Sequence, residues 1–244
     1  MFQKRLYRSR VKNHEFKKIE LKFFESNLLL CSEKNIKKRA EKELRFFHEQ
    51  IRKYIEKNRE FETALTPLGD DKSAPPIIRQ MIRASRKAGV GPMATVAGAI
   101  AQFLGRRLLG VTDQIIVENG GDIYISVNSD TKVGVFAGIG NIYNNLAIEL
   151  KAAETPCGIC TSSGRFGHSL SFGSTYATIV LSRSALIADA FSTAIGNLVH
   201  TEHNIPAALK IAKNNRLIRG LLIITENKLT CYGKIKLGVL DKEI

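Results

Sequence analysis

Ile115-Ile116-Val117-Glu118-Asn119-Gly120-Gly121-Asp122-Ile123-Tyr124-Ile125 sets two short apolar runs on either side of a polar, glycine-bearing centre. Runs rich in isoleucine, valine and tyrosine suit strands, and two glycines between them permit a sharp reversal. The same glycines let backbone approach a ligand with no Cβ in the way, while Asp122 can accept hydrogen bonds from it or lock the turn. A plain hairpin turn gives the same pattern, so the motif leaves both readings open. Outward from it, Gln114–Glu118 and Asp122–Val127 are followed by strand-like runs at Lys132–Ala137, Leu146–Leu150 and Ala177–Leu181. Two more, Leu221–Thr225 and Leu229–Gly233, flank a tight hairpin at Glu226-Asn227-Lys228. Helical patterns fall among these strands without a regular βαβ rhythm. The expected fold class is therefore α+β, with mixed or antiparallel sheets packed against helices.

Upstream, Leu6, Tyr7 and Val11, then Phe16, Ile19, Leu21 and Phe23, alternate with charge, as strands with one buried face do, and Asn27–Cys31 fits a third. Ser32-Glu33 opens a long helix to about Lys57, with Ile36, Ala40, Leu44, Phe47, Ile51 and Tyr54 on one stripe. Pro75-Pro76 primes a second helix, which Gly89-Val90-Gly91-Pro92 breaks. A third, from about Ala94 to Leu109, is built of small residues, so another backbone can approach it closely and it belongs in the interior. Ser184 to about Leu198 reads as a helix, and a short one follows Pro206.

The 244-residue chain carries a net charge of +14. Residues 1–60 hold 18 Lys and Arg against 9 Asp and Glu, so most of the excess lies in the first quarter. Such a region can dock an acidic partner, but it lacks a nucleic-acid motif or aromatic stacking run, which speaks against nucleic acid. No signal peptide opens the sequence, and the longest uncharged run, Ala88–Gly105, is too glycine-rich and polar for a membrane span. Four cysteines do not form a disulfide framework, and a cytoplasmic location without membrane attachment is expected.

Chemistry-bearing residues gather downstream. Asp189 and Thr193 lie four apart on a helix, one above the other, and offer two oxygen ligands to Mg²⁺ or Ca²⁺. The same spacing also serves an ordinary surface or capping pair. Thr161-Ser162-Ser163-Gly164 can present hydroxyls and amides to a phosphate. His168 can move a proton near neutral pH, or serve a polar turn. Cys157 and Cys160 form one Cys-x-x-Cys pair, short of the second pair that structural zinc requires.

Together the strand–Asn-Gly-Gly-Asp unit at Val117–Ile123, the Thr-Ser-Ser-Gly loop and the Ala-Asp-Ala-x-x-Thr-Ala helix at Ala188–Ala194 resemble ApbE-like proteins. That superfamily includes enzymes that transfer FMN from FAD to a protein threonine. Ala88–Ala101 and Gly158–Gly173 resemble a smaller, functionally uncharacterised branch of it. The resemblance implies one T-fold-like domain over residues 1–244, with a basic N-terminal region over 1–60 and a motif-bearing core over 75–200. It implies Mg²⁺ (or Ca²⁺) on Asp189 and Thr193, a backbone carbonyl near Met93 or Ala94 as third ligand, and His168 in a catalytic place. Asn119, Gly120, Gly121 and Asp122 with Thr161, Ser162, Ser163 and Gly164 would line a flavin (FAD or FMN) or nucleotide pocket. Homodimerisation follows by analogy with the fold. Ser169-Leu170-Ser171-Phe172-Gly173 stands where the transferases carry Asp-Pro-x-Thr-Gly. A different reading keeps the fold without catalysis: an accessory protein for sulfur or metal handling that docks an acidic partner through its basic region.

Overall fold

A computed structural model describes residues 16–138, 142–165 and 171–240. Strands β1 (Lys17–Phe23) and β2 (Ser26–Ser32) form a hairpin whose register sets Lys17 opposite Ser32 and Phe23 opposite Ser26. Helices α1 (Lys37–Lys57), α2 (Glu60–Thr63), α3 (Pro76–Ala88) and α4 (Val96–Leu108) come next. Then follow β3 (Ile115–Asn119), β4 (Asp122–Ser126), β5 (Thr131–Gly134), β6 (Leu146–Leu150), β7 (Cys157–Ser162) and β8 (Ala177–Ser182). The described chain closes with α5 (Ala185–Leu198), α6 (Ile205–Asn214), β9 (Gly220–Ile224), β10 (Leu229–Gly233) and β11 (Lys236–Val239). Eight strands make one sheet in the order β1-β2-β3-β4-β7-β8-β9-β10, and β11-β6-β5 make a second. Neighbouring strands run antiparallel in both sheets. The α+β expectation therefore holds, in its antiparallel form.

Each face of the large sheet is covered differently. On one face Leu28, Leu30, Val117, Tyr124, Val180 and Ile223 pack under the helices. On the other, Ile125, Ile159, Ile179 and Leu222 meet Val135, Ile148 and Leu150, the last two from β6 in the small sheet. Strands covered on both sides lose the apolar–polar alternation, and β8 and β9 are buried at every residue. At the edge β1 keeps it, with Ile19 and Leu21 inward and Lys18, Glu20 and Lys22 outward. Helix α1 is pinned to α4 through buried Glu43, which accepts the Arg107 Nε–H at 2.9 Å and forms an ion pair with Arg39 of its own helix at 2.7 Å.

Three expectations change. The long helix begins at Lys37 rather than at Ser32-Glu33, because Ser32 is held in the sheet between Lys17 and Ile115. Cys157–Ser162 is a strand although its end is rich in hydroxyls, since Thr161 and Ser162 pair with Ile179 and Thr178. The helix expected from Ala94 opens as a 3-10 turn at Pro92–Thr95 before α4. The expected strand through Leu6, Tyr7 and Val11 lies outside the described residues. Among the described residues no single helix is long and apolar enough to cross a membrane; α3 and the Pro92–Leu108 helix pass only as a pair bent by 101°.

Helix α4 is central, as its small residues imply. A Cβ at Gly98 would lie 2.5 Å from the Ala185 carbonyl oxygen and 2.9 Å from the Asp189 Cβ, so only glycine lets α4 and α5 pack this closely.

Candidate functional site

The β3–β4 connection is a two-residue hairpin. Asn119 pairs with Asp122, and Gly120 and Gly121 take φ values of 72° and 103°, the left-handed pair that such turns require. The Gly121 N–H donates to Glu118 Oε1 at 2.9 Å, and the Asn119 side-chain amide reaches the Ala97 carbonyl in the first turn of α4 at 3.4 Å. Asp122 shares the helix-side face with Tyr124, and it is buried. The register that sets Ile123 opposite Ile159 brings Cys160 of β7 beside it.

Helix α5 delivers Asp189 to the same place. Asp189 is buried, and its Oδ2 accepts the Gly98 N–H at 2.9 Å. The start of α5 is held by two buried side chains. Gln102 Oε1 accepts the Ala185 N–H at 2.7 Å, and the Cys160 thiol donates to the Ala185 carbonyl at 3.3 Å. Neither Gln102 nor the individual role of Cys160 stands out in the sequence. Gln102 had one signal: it follows Gly98 by one helical turn and so shares its face.

The electrostatics follow from burial. The Asp122 carboxyl is pushed well above the usual carboxylate range, first by desolvation and then by Asp189, while the Cys160 thiol and the Thr161 N–H pull it down. Asp189 is raised to about 7 by desolvation, against the pull of the Gly98 N–H. Burial and the two neighbouring carboxyls also push the Cys160 thiol far up. Asp122 Oδ1 is buried with no hydrogen-bond partner. Two neighbouring carboxyls raised inside a protein are stabilised by a proton or by a cation between them. The donors are hard oxygens, which suits Mg²⁺ or Ca²⁺. Among the described residues no three His, Cys, Asp or Glu gather to hold a metal, so such a cation would complete its shell from hydroxyl, carbonyl, water or ligand oxygens.

The remaining expected residues are distributed as follows. Thr193 sits part-buried one turn beyond Asp189 on α5. Met93 and Ala94 are part-buried in the 3-10 turn that packs against α5. Thr161 and Ser162 belong to β7, so their side chains point to opposite faces of the sheet and do not form one row of donors. Ser162 Oγ lies against Gly196 of α5, where a Cβ would be 3.1 Å away. Ser163 Oγ accepts the Arg165 N–H at 3.2 Å and donates to the Thr175 carbonyl at 3.4 Å, while the Gly164 N–H reaches that carbonyl at 3.0 Å. His168 lies outside the described residues.

Cys157 and Cys160 do not make a pair. They lie on opposite faces of β7, Cys157 in the core under the small sheet and Cys160 in the core under the helices. Burial lifts the Cys157 thiol to about 12. Burial and the neighbouring carboxyls raise the Cys160 thiol as well, and on opposite faces of β7 the two sulfurs do not act as one Cys-x-x-Cys pair.

A family profile described as "AbpE bacteria" matches residues 8–227. A UPF0280 protein of Methanocaldococcus jannaschii is 38% identical over 227 residues, covering 90% of this chain and 92% of its own. One from Methanothermobacter thermautotrophicus is 39% identical over 196 residues, covering 78% and 76%. Among solved structures, the flavin transferase ApbE of Vibrio cholerae superposes with a TM-score of 0.58 at 12% identity, covering 89% of this chain and 97% of that one. The flavinyl transferase ApbE of Pseudomonas stutzeri gives 0.57 at 13% identity, covering 89% and 94%. At such identities the likeness establishes a shared fold.

Proposed function

The chain belongs to the family described as AbpE bacteria, and on that footing we propose that it binds a flavin, nucleotide or other phosphate-bearing ligand in a divalent-metal-assisted cleft, with FMN transfer as the reaction such a cleft would carry. The observation behind this reading is the buried pair Asp122 and Asp189, both raised by an environment that disfavours two negative charges. A fold gains little from two such carboxyls, whereas a cation site needs them.

Asp189 and Thr193 would hold the cation, with a backbone carbonyl of Met93 or Ala94 as a third donor and Asp122 facing the same space. When bound, Mg²⁺ would offset the charge of a phosphoanhydride and steady its leaving group. The chain's own groups do the rest. Gly98 orients Asp189 through its N–H, and the Asn119 amide fixes the glycine turn against α4. The exposed Gly120, the part-buried Gly121 and the end of β7 would line the ligand.

Thermal denaturation with FAD, FMN and ATP, each with and without Mg²⁺, tests the reading. A Mg²⁺-dependent rise with FAD that disappears in Asp189→Ala, in a variant that still folds, supports it and justifies assaying FMN transfer to a threonine peptide. No rise with any of the three, or an unchanged rise in Asp189→Ala, removes it.

A further inference from the structure

Ahead of β8, a segment tied to the C-terminal half of α5 carries an aromatic ring. Phe172 is 53% exposed and joins neither apolar core. Its backbone is nevertheless fastened down. The Phe172 N–H donates to Asn197 Oδ1 at 3.0 Å, and the Ser171 hydroxyl donates to the same oxygen at 3.5 Å. Ser174 N–H donates to the Val199 carbonyl at 2.9 Å. A Cβ at Gly173 would lie 1.9 Å from the Gly196 carbonyl oxygen, and one at Gly164 would lie 1.8 Å from the Gly173 oxygen, so Gly173 is pressed between α5 and the residues just past β7.

Fixing loop backbone costs conformational entropy, and leaving a phenylalanine in water forgoes the gain of burying it. Among the described residues the ring joins neither apolar core, so burial does not recover the cost of exposing it. A ligand would. Asn197 follows Thr193 by one helical turn and Asp189 by two, which is about 6 and 12 Å along the helix axis. A ligand with its phosphate end at Asp189 and Thr193 and its length laid along α5 would bring its other end to this ring.

We propose that Phe172 is an aromatic platform on which the planar ring of a flavin or nucleotide stacks, and that Asn197 is the positioning residue that holds it over α5. The proposal rests on the cleft reading above and adds to it which part of the ligand each end of the site takes. Rings of this kind stack on phenylalanine with little demand for sequence-specific hydrogen bonds, so the platform selects for a planar aromatic system.

Calorimetric titration of the intact protein with FMN, FAD and inorganic pyrophosphate, each with Mg²⁺, separates the two ends. Phe172→Ala is expected to weaken FMN and FAD about tenfold and to leave pyrophosphate unchanged, while Phe172→Tyr keeps wild-type affinity for all three. Asn197→Ala is expected to lower flavin affinity alone, a selectivity that general destabilisation would not produce. Wild-type flavin binding in Phe172→Ala, or an equal loss of pyrophosphate, overturns the platform. A wild-type protein that binds pyrophosphate but no flavin also overturns the platform while leaving the cleft; one that binds none of the three removes both.

Discussion

The two faces of the large sheet are made by the same strands and are chemically unlike. Along β4, Ile123 and Ile125 turn to the small sheet while Asp122 and Tyr124 turn to the helices. Along β7, Cys157 and Ile159 go one way, and Cys160 and Ser162 go the other. The small-sheet face is closed by apolar side chains such as Ile148, Leu150 and Leu222. The helix face carries two buried carboxyls, one with an oxygen lacking any hydrogen bond. One face is built for stability. The other buries two carboxyls where α4, α5 and β4 converge.

Truncation on the apolar face should give the largest loss. Leu222→Ala removes a fully buried side chain and is expected to cost up to about 5 kcal/mol in urea denaturation. Its Mg²⁺ response should match wild type. A changed Mg²⁺ response would mean that the two faces are not independent.

The carboxyl face should respond in the opposite direction. Asp189 titrates near 7 when folded and near the ordinary 3.8 when unfolded. Between those values the folded state binds the extra proton, so stability falls as pH rises through the window and levels off above about 7. The difference is worth at most about 4 kcal/mol. Asp189→Asn, which keeps an acceptor for the Gly98 N–H, should flatten that slope and raise stability at pH 8 in a chelator. Urea midpoints from pH 4.5 to 8 for both proteins give the answer, and equal slopes would end the comparison. Mg²⁺ should offset the wild-type loss above pH 7 and do nothing for the variant.

Thr193→Val tests the same face with less force. It exchanges a part-buried hydroxyl for a methyl of similar shape, so stability should change by less than about 1 kcal/mol. The Mg²⁺-dependent thermal shift should shrink. An undiminished shift would take Thr193 out of the cation site.

The smallest effect belongs at the rim, where His48 packs against Phe23 and bonds Ser26 Oγ at 2.9 Å. Burial lowers its titration below the ordinary 6.5, against the pull of Glu25. The unfolded state then binds more protons just below that value, so this contribution is lost as pH falls. His48→Gln should remove a shallow acid-side slope opposite in sign to that of Asp189, measurable in the same pH series.

Much of this layout was legible in advance. The stripe of Ala40, Leu44, Phe47 and Ile51 marks α1, and all four are buried. The small residues of Ala97–Ala101 mark a helix that others approach closely, and Gly98 meets Ala185. Asn-Gly-Gly-Asp marks a two-residue hairpin, and the register bears it out. By contrast, β7 was hidden, because Cys-Gly-Ile-Cys-Thr-Ser lacks the β-branched density of β8 and ends in residues that favour turns. The Cys-x-x-Cys spacing left a pair open, and on a strand its odd interval sends the two thiols to opposite faces.

What the sequence by itself determined is local: most of the helices and strands, where the glycine turn falls, and that Asp189 and Thr193 share one helical face. Each follows from a period of 3.6 or 2 and from backbone preference, which act over a few residues. What only the tertiary structure decided is convergence. Asp122, Cys160, Gln102 and Asp189 meet because β7 pairs with β4 across the intervening β5–β6 excursion and Gly98 lets α5 settle onto α4. Strand order and helix approach depend on how the whole apolar surface is buried, and no local pattern encodes them.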